Sequence, residues 1–362
     1  MCIPFPEMKK KLGFGCMRLK MNGDEVDDVE FTRMIDAFME NGFNYFDTAR
    51  PYIGGKSEIA LRQCLTSRYP REAYVLTDKL SPNNFKCRED IEPLLDSQLE
   101  ACGVEYFDFY LMHTQTRRLY EQYKNANAYE EAFRLKKLGK VRHVGISFHD
   151  SAEFLDQLLT ENPGIEVVQL QFNYVDYEDD RVQSRLCYEV CVKHGKPVLV
   201  MEPVKGGHLV NLPDAVGKVL DELEGGSRAS YAIRFAAGFP NVVMVLSGMG
   251  DMQMMNDNIS FMKDFQPLNE MELAAVQKAA AIYRGEEQIP CTGCRYCVED
   301  CPKQIPIPDL FAAINAAKNT GKKADLSKIA GGRAADCISC GKCEEHCPQF
   351  LPIRTLLRRI AK

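Results

Sequence analysis

Two short runs of cysteine near the end of the chain constrain it more than anything else in the sequence. They read Cys291-x2-Cys294-x2-Cys297-x3-Cys301-Pro302 and Cys337-x2-Cys340-x2-Cys343-x3-Cys347-Pro348. A two-residue spacing lets three successive thiolates of one loop point at a common centre. The fourth, followed by a chain-turning proline, is directed to the neighbouring centre. Zinc sites are built differently, from two cysteine pairs across a longer loop with no third close thiol. The spacing therefore calls for two 4Fe-4S clusters. Cys291, Cys294, Cys297 and Cys347 are expected to hold one, and Cys337, Cys340, Cys343 and Cys301 the other.

Between the runs, an alanine-rich stretch from Asp309 to Lys318 predicts a helix, with Pro308 before it and Gly321 after it. The terminal LPIRTLLRRIAK predicts a further short amphipathic helix. This part of the chain, residues 284–362, resembles a small, mostly α-helical ferredoxin-like domain.

A chain of 362 residues is long for one compact domain, and a hydrophobic content of 45% supplies a sizeable core. There is no secretory apolar segment and no run of eighteen apolar residues, so a cytoplasmic protein with no membrane span is expected. Fifteen cysteines in a reducing compartment point away from disulfides. Seven of them (Cys2, Cys16, Cys64, Cys87, Cys102, Cys187, Cys191) are scattered and are expected to be small buried hydrophobes. The net charge is −6, yet from Glu286 onward there are 12 Lys+Arg against 9 Asp+Glu. Those bases are interleaved with acids, which suits an offset to anionic clusters better than nucleic-acid binding.

Residues 1–283 alternate short apolar runs with amphipathic ones. Strands are predicted at 13–19, 44–49, 74–80, 107–113, 141–147, 165–173, 197–204 and 242–249, with helical segments such as DVEFTRMIDAFMEN and REDIEPLLDSQLEACG between them. Eight such units in this length predict an α/β fold of the (β/α)8 TIM-barrel kind. A doubly wound sheet competes, but no G-x-G-x-x-G follows an early strand. Barrel chemistry sits at the C-terminal ends of strands, and those ends carry Asp47, Lys79 and His113, with Tyr52 in the loop after Asp47. Singly, each has a plain structural explanation, as a cap, a solvated strand end, a satisfied histidine or loop packing. Four ionisable groups of complementary type on one rim make a site.

NGFNYFDTARPY, VLTDK, FDFYLMH and GKVRHVGIS resemble the signatures of the aldo-keto reductase family, in order, over residues 12–280. The whole chain is similar to the members that carry a C-terminal 4Fe-4S ferredoxin-like domain. The resemblance implies a tetrad of Asp47, Tyr52, Lys79 and His113 serving NAD(P)H-dependent reduction of an aldehyde or ketone. Tyr52 would be the general acid. A free phenol has a pKa of about 10, and the Lys79 ammonium is expected to lower it toward the working range. Asp47 would hold Lys79, and His113 would hydrogen-bond the substrate carbonyl.

The resemblance also implies a nucleotide site at Cys16, Met17, Asp47, Ser147, Gln169, Met201, Pro203, Gly206, Gly248, Asp257 and Asn258. Here the chain departs from the family pattern. Ser147 is followed by Phe148 and His149 where Ser-Asn is usual, and Met201 stands where an aromatic ring stacks on the nicotinamide. The two positions that normally hold the 2′-phosphate of NADPH read Gly248 and Met254, which leaves NADH as an alternative. Nicotinamides deliver hydride whereas iron–sulfur clusters move single electrons, so electron exchange between the two parts would need a converter such as a flavin. The expected partners are a small-molecule substrate and a one-electron carrier (ferredoxin or flavodoxin). The competing function is an electron-transfer iron–sulfur protein whose barrel binds a nucleotide or flavin and reduces no simple carbonyl.

Overall fold

The computed structural model describes residues 4–285, 288–320 and 324–361. Ten strands lie among them: β1 (Leu12–Gly15), β2 (Met21–Asn22), β3 (Glu25–Val26), β4 (Tyr45–Asp47), β5 (Val75–Leu80), β6 (Phe107–Gln115), β7 (Val141–Phe148), β8 (Val167–Gln171), β9 (Val198–Met201) and β10 (Val242–Ser247). Eight of them close a parallel barrel in the order β1-β10-β9-β8-β7-β6-β5-β4, while β2 and β3 form a small antiparallel hairpin. The hairpin has no counterpart among the predicted strands, because its two-residue strands carry too little alternation to register.

Strand side chains alternate between faces, so every second residue of a barrel strand enters the interior. Tyr45, Val75, Phe109, Leu111, Val167 and Leu199 form the interior core, with Phe5 and Met8 from the N-terminal segment. Continuing the same period upward gives Asp47 after Tyr45, Thr77 and Lys79 after Val75, and His113 after Leu111. The interior is therefore apolar below and ionisable at the C-terminal rim. Residues of the opposite phase, such as Phe14, Phe46, Leu76, Tyr110 and Met112, pack outward against the helices. Gly145 is fixed by this packing, since a Cβ there would collide with Val167 and Leu111.

Helices return the chain between strands. Asp27 caps helix Asp28–Glu40 by accepting from the Glu30 amide, and Gly103, at φ +66°, ends helix Ile91–Cys102. Strands stop earlier than predicted where the backbone is diverted at the mouth. Cys16 leaves β1 and donates its amide to the Asp47 carbonyl, and Glu202, at φ +56°, ends β9.

The C-terminal part has helices Tyr296–Glu299, Ile307–Thr320, Lys342–Glu345 and Ile353–Ile360, and no strand among its described residues. Its own core joins Ile305, Phe311, Leu351, Ile353 and Leu357 to Cys297 and Cys343. The predicted helix over 309–318 lies within the longer observed one, and the expected end at Gly321 falls outside the described residues. No helix among the described residues is long and apolar enough to cross a membrane.

Candidate active site and cysteine loops

At the barrel mouth the structure brings Asp47, Tyr52, Lys79 and His113 together. Lys79, with no exposed side-chain surface, places its ammonium 2.7 Å from Asp47 Oδ1, 2.8 Å from the Thr48 carbonyl and 3.1 Å from Tyr52 Oη. Asp47 also accepts from Gln169 Nε2 at 3.1 Å. Tyr52 reaches this point because Ile53, Gly54 and Gly55 take left-handed backbone angles and double the chain back over the mouth. The rings of Tyr52 and His113 meet edge to face at 6.1 Å, and Ser81 Oγ lies 2.7 Å from His113 Nδ1.

The electrostatics depart from expectation at Tyr52. Its phenol is held well above the usual value, first by burial and then by the negative charges of Asp47 and Asp78; Tyr296 and Arg18 pull the other way. The predicted lowering by Lys79 does not prevail, because a desolvated phenolate beside a carboxylate loses more than one ammonium returns. Tyr52 is a neutral phenol at neutral pH. His113 is held well below the usual imidazole value by burial, with Lys79 and His149 adding to the shift. It is a neutral imidazole.

A cavity of about 800 Å³ opens above this floor. Met17, Asp47, Ser147, Gln169, Met201, Pro203, Gly206, Gly248, Asp257 and Asn258 all line it, as does Met254. Cys16 does not. Its side chain is fully buried, with Sγ 3.6 Å from the Phe14 carbonyl, and it belongs to the packing beneath. At the far end Ser227 Oγ holds Asp257 at 2.7 Å and Asn258 holds Ser247 Oγ at 2.7 Å.

Sequence reasoning missed several walls of this cavity, namely Arg18, His149, Glu202 and Tyr296. His149 had a signal, since it lies two residues beyond Ser147 and so on the same face. Burial pushes its imidazole down to about 4, and its Nδ1 is buried without a partner.

Among the scattered cysteines, Cys16, Cys64, Cys102, Cys187 and Cys191 are buried as expected, but Cys87 is exposed. Cys87 precedes the short turn Arg88–Asp90, where its amide is capped by Asp90. Cys2 lies outside the described residues.

The two cysteine loops share one backbone design. Left-handed angles fall at Gly293, Arg295 and Gln304 in the first run and at Ser339, Gly341 and Phe350 in the second, each pair at equivalent positions. Cys291, Cys294, Cys297 and Cys347 line one apolar pocket with Ile307, Phe311 and Leu351. Cys337 and Cys340 both act electrostatically on Cys343, and Cys301 packs on the same small core. Sulfurs on one zinc ion would stand roughly 3.8 Å apart, from bonds of about 2.3 Å. No three metal-ligating side chains among the described residues are close enough to share a single ion. Four thiols converging on one apolar pocket are the donor set that a cubane cluster takes.

The first loop is clamped to the barrel. Arg18 Nη2 donates to the Thr292 carbonyl at 2.7 Å, and His208 Nε2 lies 2.7 Å from the Cys291 carbonyl. Gly206, at φ +64°, leaves room for Thr292, whose backbone a Cβ would strike. Lys205, almost fully buried, joins Asp176 at 2.6 Å to Gln349 Oε1 at 2.8 Å, and Gln349 donates to Glu202 at 2.8 Å. As a result Cys294, Tyr296 and Pro348 form part of the 800 Å³ cavity wall.

Residues 11–281 match the aldo/keto reductase family and residues 290–351 a 4Fe-4S dicluster domain. An aldo-keto reductase of Mycolicibacterium vanbaalenii is 28% identical over 223 residues, covering 61% of this chain and 74% of that protein. An NADH-specific methylglyoxal reductase of Escherichia coli is 24% identical over 229 residues, covering 56% of this chain and 64% of that protein. The holo form of an aldo-keto reductase from Bacillus halodurans superposes with a TM-score of 0.63 at 23% identity, over 75% of this chain and 96% of that one. One from Klebsiella pneumoniae in complex with NADPH gives 0.59 at 18%, over 77% and 97%. At these identities the likeness to solved structures shows the fold. The family match over most of the length settles the rest: the chain belongs to the aldo/keto reductase family of oxidoreductases, extended by a 4Fe-4S dicluster domain.

Proposed function

We propose that the chain reduces an aldehyde or ketone with hydride from a nicotinamide nucleotide bound in the 800 Å³ cavity, and that its eight C-terminal cysteines carry two 4Fe-4S clusters. One observation carries this reading: Lys79 Nζ contacts Asp47 and Tyr52 together at the floor of that cavity. The nucleotide, when bound, supplies the hydride. Asp47 anchors the ammonium, and neutral His113 is placed to donate a hydrogen bond to the carbonyl oxygen. Tyr52, kept protonated by burial, gives its proton to the developing alkoxide, a stronger base than any phenolate. The phenolate left behind faces Lys79 at 3.1 Å.

The nucleotide end favours NADH. Gly248 and Met254 offer no cation to a 2′-phosphate, and Asp251 and Asp257 line the same end of the cavity.

Tyr52→Phe tests the reading. Carbonyl turnover should fall by roughly 10²–10⁴, with iron and sulfide content and nucleotide affinity unchanged. Equal turnover in the variant rejects Tyr52 as the acid.

A second reading is favoured by Cys294, which is both a ligand of the first cysteine set and a wall of the nucleotide cavity. An occupant of that cavity would lie against the cluster, and a bound flavin would let electrons pass one at a time toward an external ferredoxin or flavodoxin. An absorbance spectrum of anaerobically purified protein, before and after NADH, separates the readings. A flavin band with bleaching of the clusters supports electron exchange, and an unchanged cluster spectrum opposes it.

A further inference from the structure

Two cavities divide the rim of the barrel between them. Above its floor, the 800 Å³ cavity takes its walls from the ends of β1, β7, β8, β9 and β10, through Met17, Ser147, Gln169, Met201 and Ser247. A second cavity, of about 500 Å³, lies over the loops that follow β4, β5 and β6, where Gly54, Ile59, Ser81, Asn84 and Leu119 line it. His113 and Tyr296 are the two residues common to both. Ser81 Oγ engages His113 Nδ1 at 2.7 Å, which leaves the other ring nitrogen for an oxygen at the seam.

The opposite wall of the second cavity belongs to the cysteine domain, through Glu299, Asp300 and His346. His346 Nε2 lies 3.0 Å from Asp300 Oδ2 and so joins the two cysteine runs. Arg118 of the barrel reaches Glu345 of the same domain at 3.8 Å. The space is thus enclosed by two folding units and meets the tetrad at His113. Its surface is mixed in character. Ile59 and Leu119 offer apolar atoms, while Arg50 is the one Lys or Arg among the described lining residues. That guanidinium is already committed, to Glu58 at 3.0 Å and to Ser97 Oγ at 3.0 Å.

We propose that the 500 Å³ cavity is the specificity pocket for the body of the carbonyl substrate, and that this substrate is a bulky compound bearing no anionic group. The assignment rests on the carbonyl-reductase reading. With the nucleotide along the other half of the rim, a carbonyl carbon at the seam has its larger substituent directed over β4, β5 and β6. Pockets of about 300–1,000 Å³ take ligands of drug-like size, so the body is of ring size rather than a short carbon chain. Its apolar atoms gain by leaving water for Ile59 and Leu119. A carboxylate or phosphate on the same body would meet Glu58, Glu299 and Asp300, with the charge of Arg50 already taken up. Ile59, 49% exposed on helix Lys56–Leu61, and exposed Asn84 are the specificity-determining residues of the barrel side.

The test uses the full chain with clusters reconstituted anaerobically, NADH as donor, and three probes: propanal, benzylacetone, and benzylacetone carrying a carboxylate on its ring. The parent should favour benzylacetone over propanal in kcat/KM by about tenfold or more. The carboxylated probe should fall about tenfold below benzylacetone. Ile59→Trp fills the cavity from a half-exposed position and should cut the preference for benzylacetone about tenfold, with NADH affinity and iron content retained. Asn84→Trp does so from a different loop, so a folding defect in one variant leaves the other to decide. A parent that reduces propanal without favouring benzylacetone overturns the pocket while the reductase reading stands. So does a preference that survives in the folded variants. A carboxylated probe turned over as well as benzylacetone overturns the substrate class. If the parent reduces none of the three, the reductase reading falls and the pocket with it.

Discussion

The Lys79 ammonium lies 2.7 Å from Asp47 Oδ1, and neither group has appreciable contact with solvent. A buried ion pair of this kind is costly to break from one side, because the remaining charge is stranded in a medium that cannot solvate it. Lys79→Met should therefore destabilise the barrel by about 3–5 kcal/mol in urea unfolding. Adding Asp47→Asn to the same chain should recover part of that loss. If the double variant is no more stable than Lys79→Met, the stranded-charge account is wrong.

The neutral histidines make stability depend on pH. His113 is held well below its usual value and His149 is pushed down to about 4. The unfolded chain binds protons at these residues near pH 6.5, before the folded chain does. Their contribution to stability is thus complete above that pH and is lost as the pH falls toward the folded values. Urea midpoints should decline from about pH 6.5 downward, and His113→Asn should flatten the decline. An identical acid slope in the variant would count against a buried neutral His113.

Gln349 helps tie the two parts of the chain together, accepting from buried Lys205 and donating to Glu202. Gln349→Leu leaves a buried ammonium short of one acceptor and a carboxylate short of one donor. A loss of about 1–3 kcal/mol is expected, seen as earlier proteolytic cleavage between barrel and cysteine domain. A cleavage rate matching the parent chain would remove Gln349 from that role.

Nucleotide choice should follow charge at the adenine end. Met254 is half exposed at the cavity rim, so an arginine there can reach a 2′-phosphate without burial. Met254→Arg should raise NADPH affinity about tenfold relative to NADH, read by titration of the reconstituted protein. No change in the ratio would place the phosphate elsewhere.

Much of this was legible from the chain because the relevant physics is local. Period-two alternation sends Asp47, Lys79 and His113 inward at the tops of their strands. Spacings of two residues between cysteines turn three thiols of one loop to one side. Where long-range packing decides, the reading failed. Cys16 follows β1 directly, yet its side chain turns beneath the cavity floor. The Lys79 charge was expected to dominate Tyr52, but burial together with Asp47 and Asp78 outweighs it, and burial is a property of the closed barrel alone. Cys87 looked like any other scattered cysteine and lies exposed in a capped turn.

The sequence by itself determined the eight-unit barrel, the tetrad and the paired cysteine loops, because each is written in spacings a few residues long. Only the tertiary structure decided that the first cysteine loop enters the barrel mouth and sets Cys294 and Tyr296 in the wall of the 800 Å³ cavity. That meeting joins residues far apart in the chain, His113 and Tyr296, whose rings stand edge to face at 6.2 Å. It depends on Arg18, Gly206 and Lys205 gripping a separate domain, and no local pattern in the chain encodes such a contact.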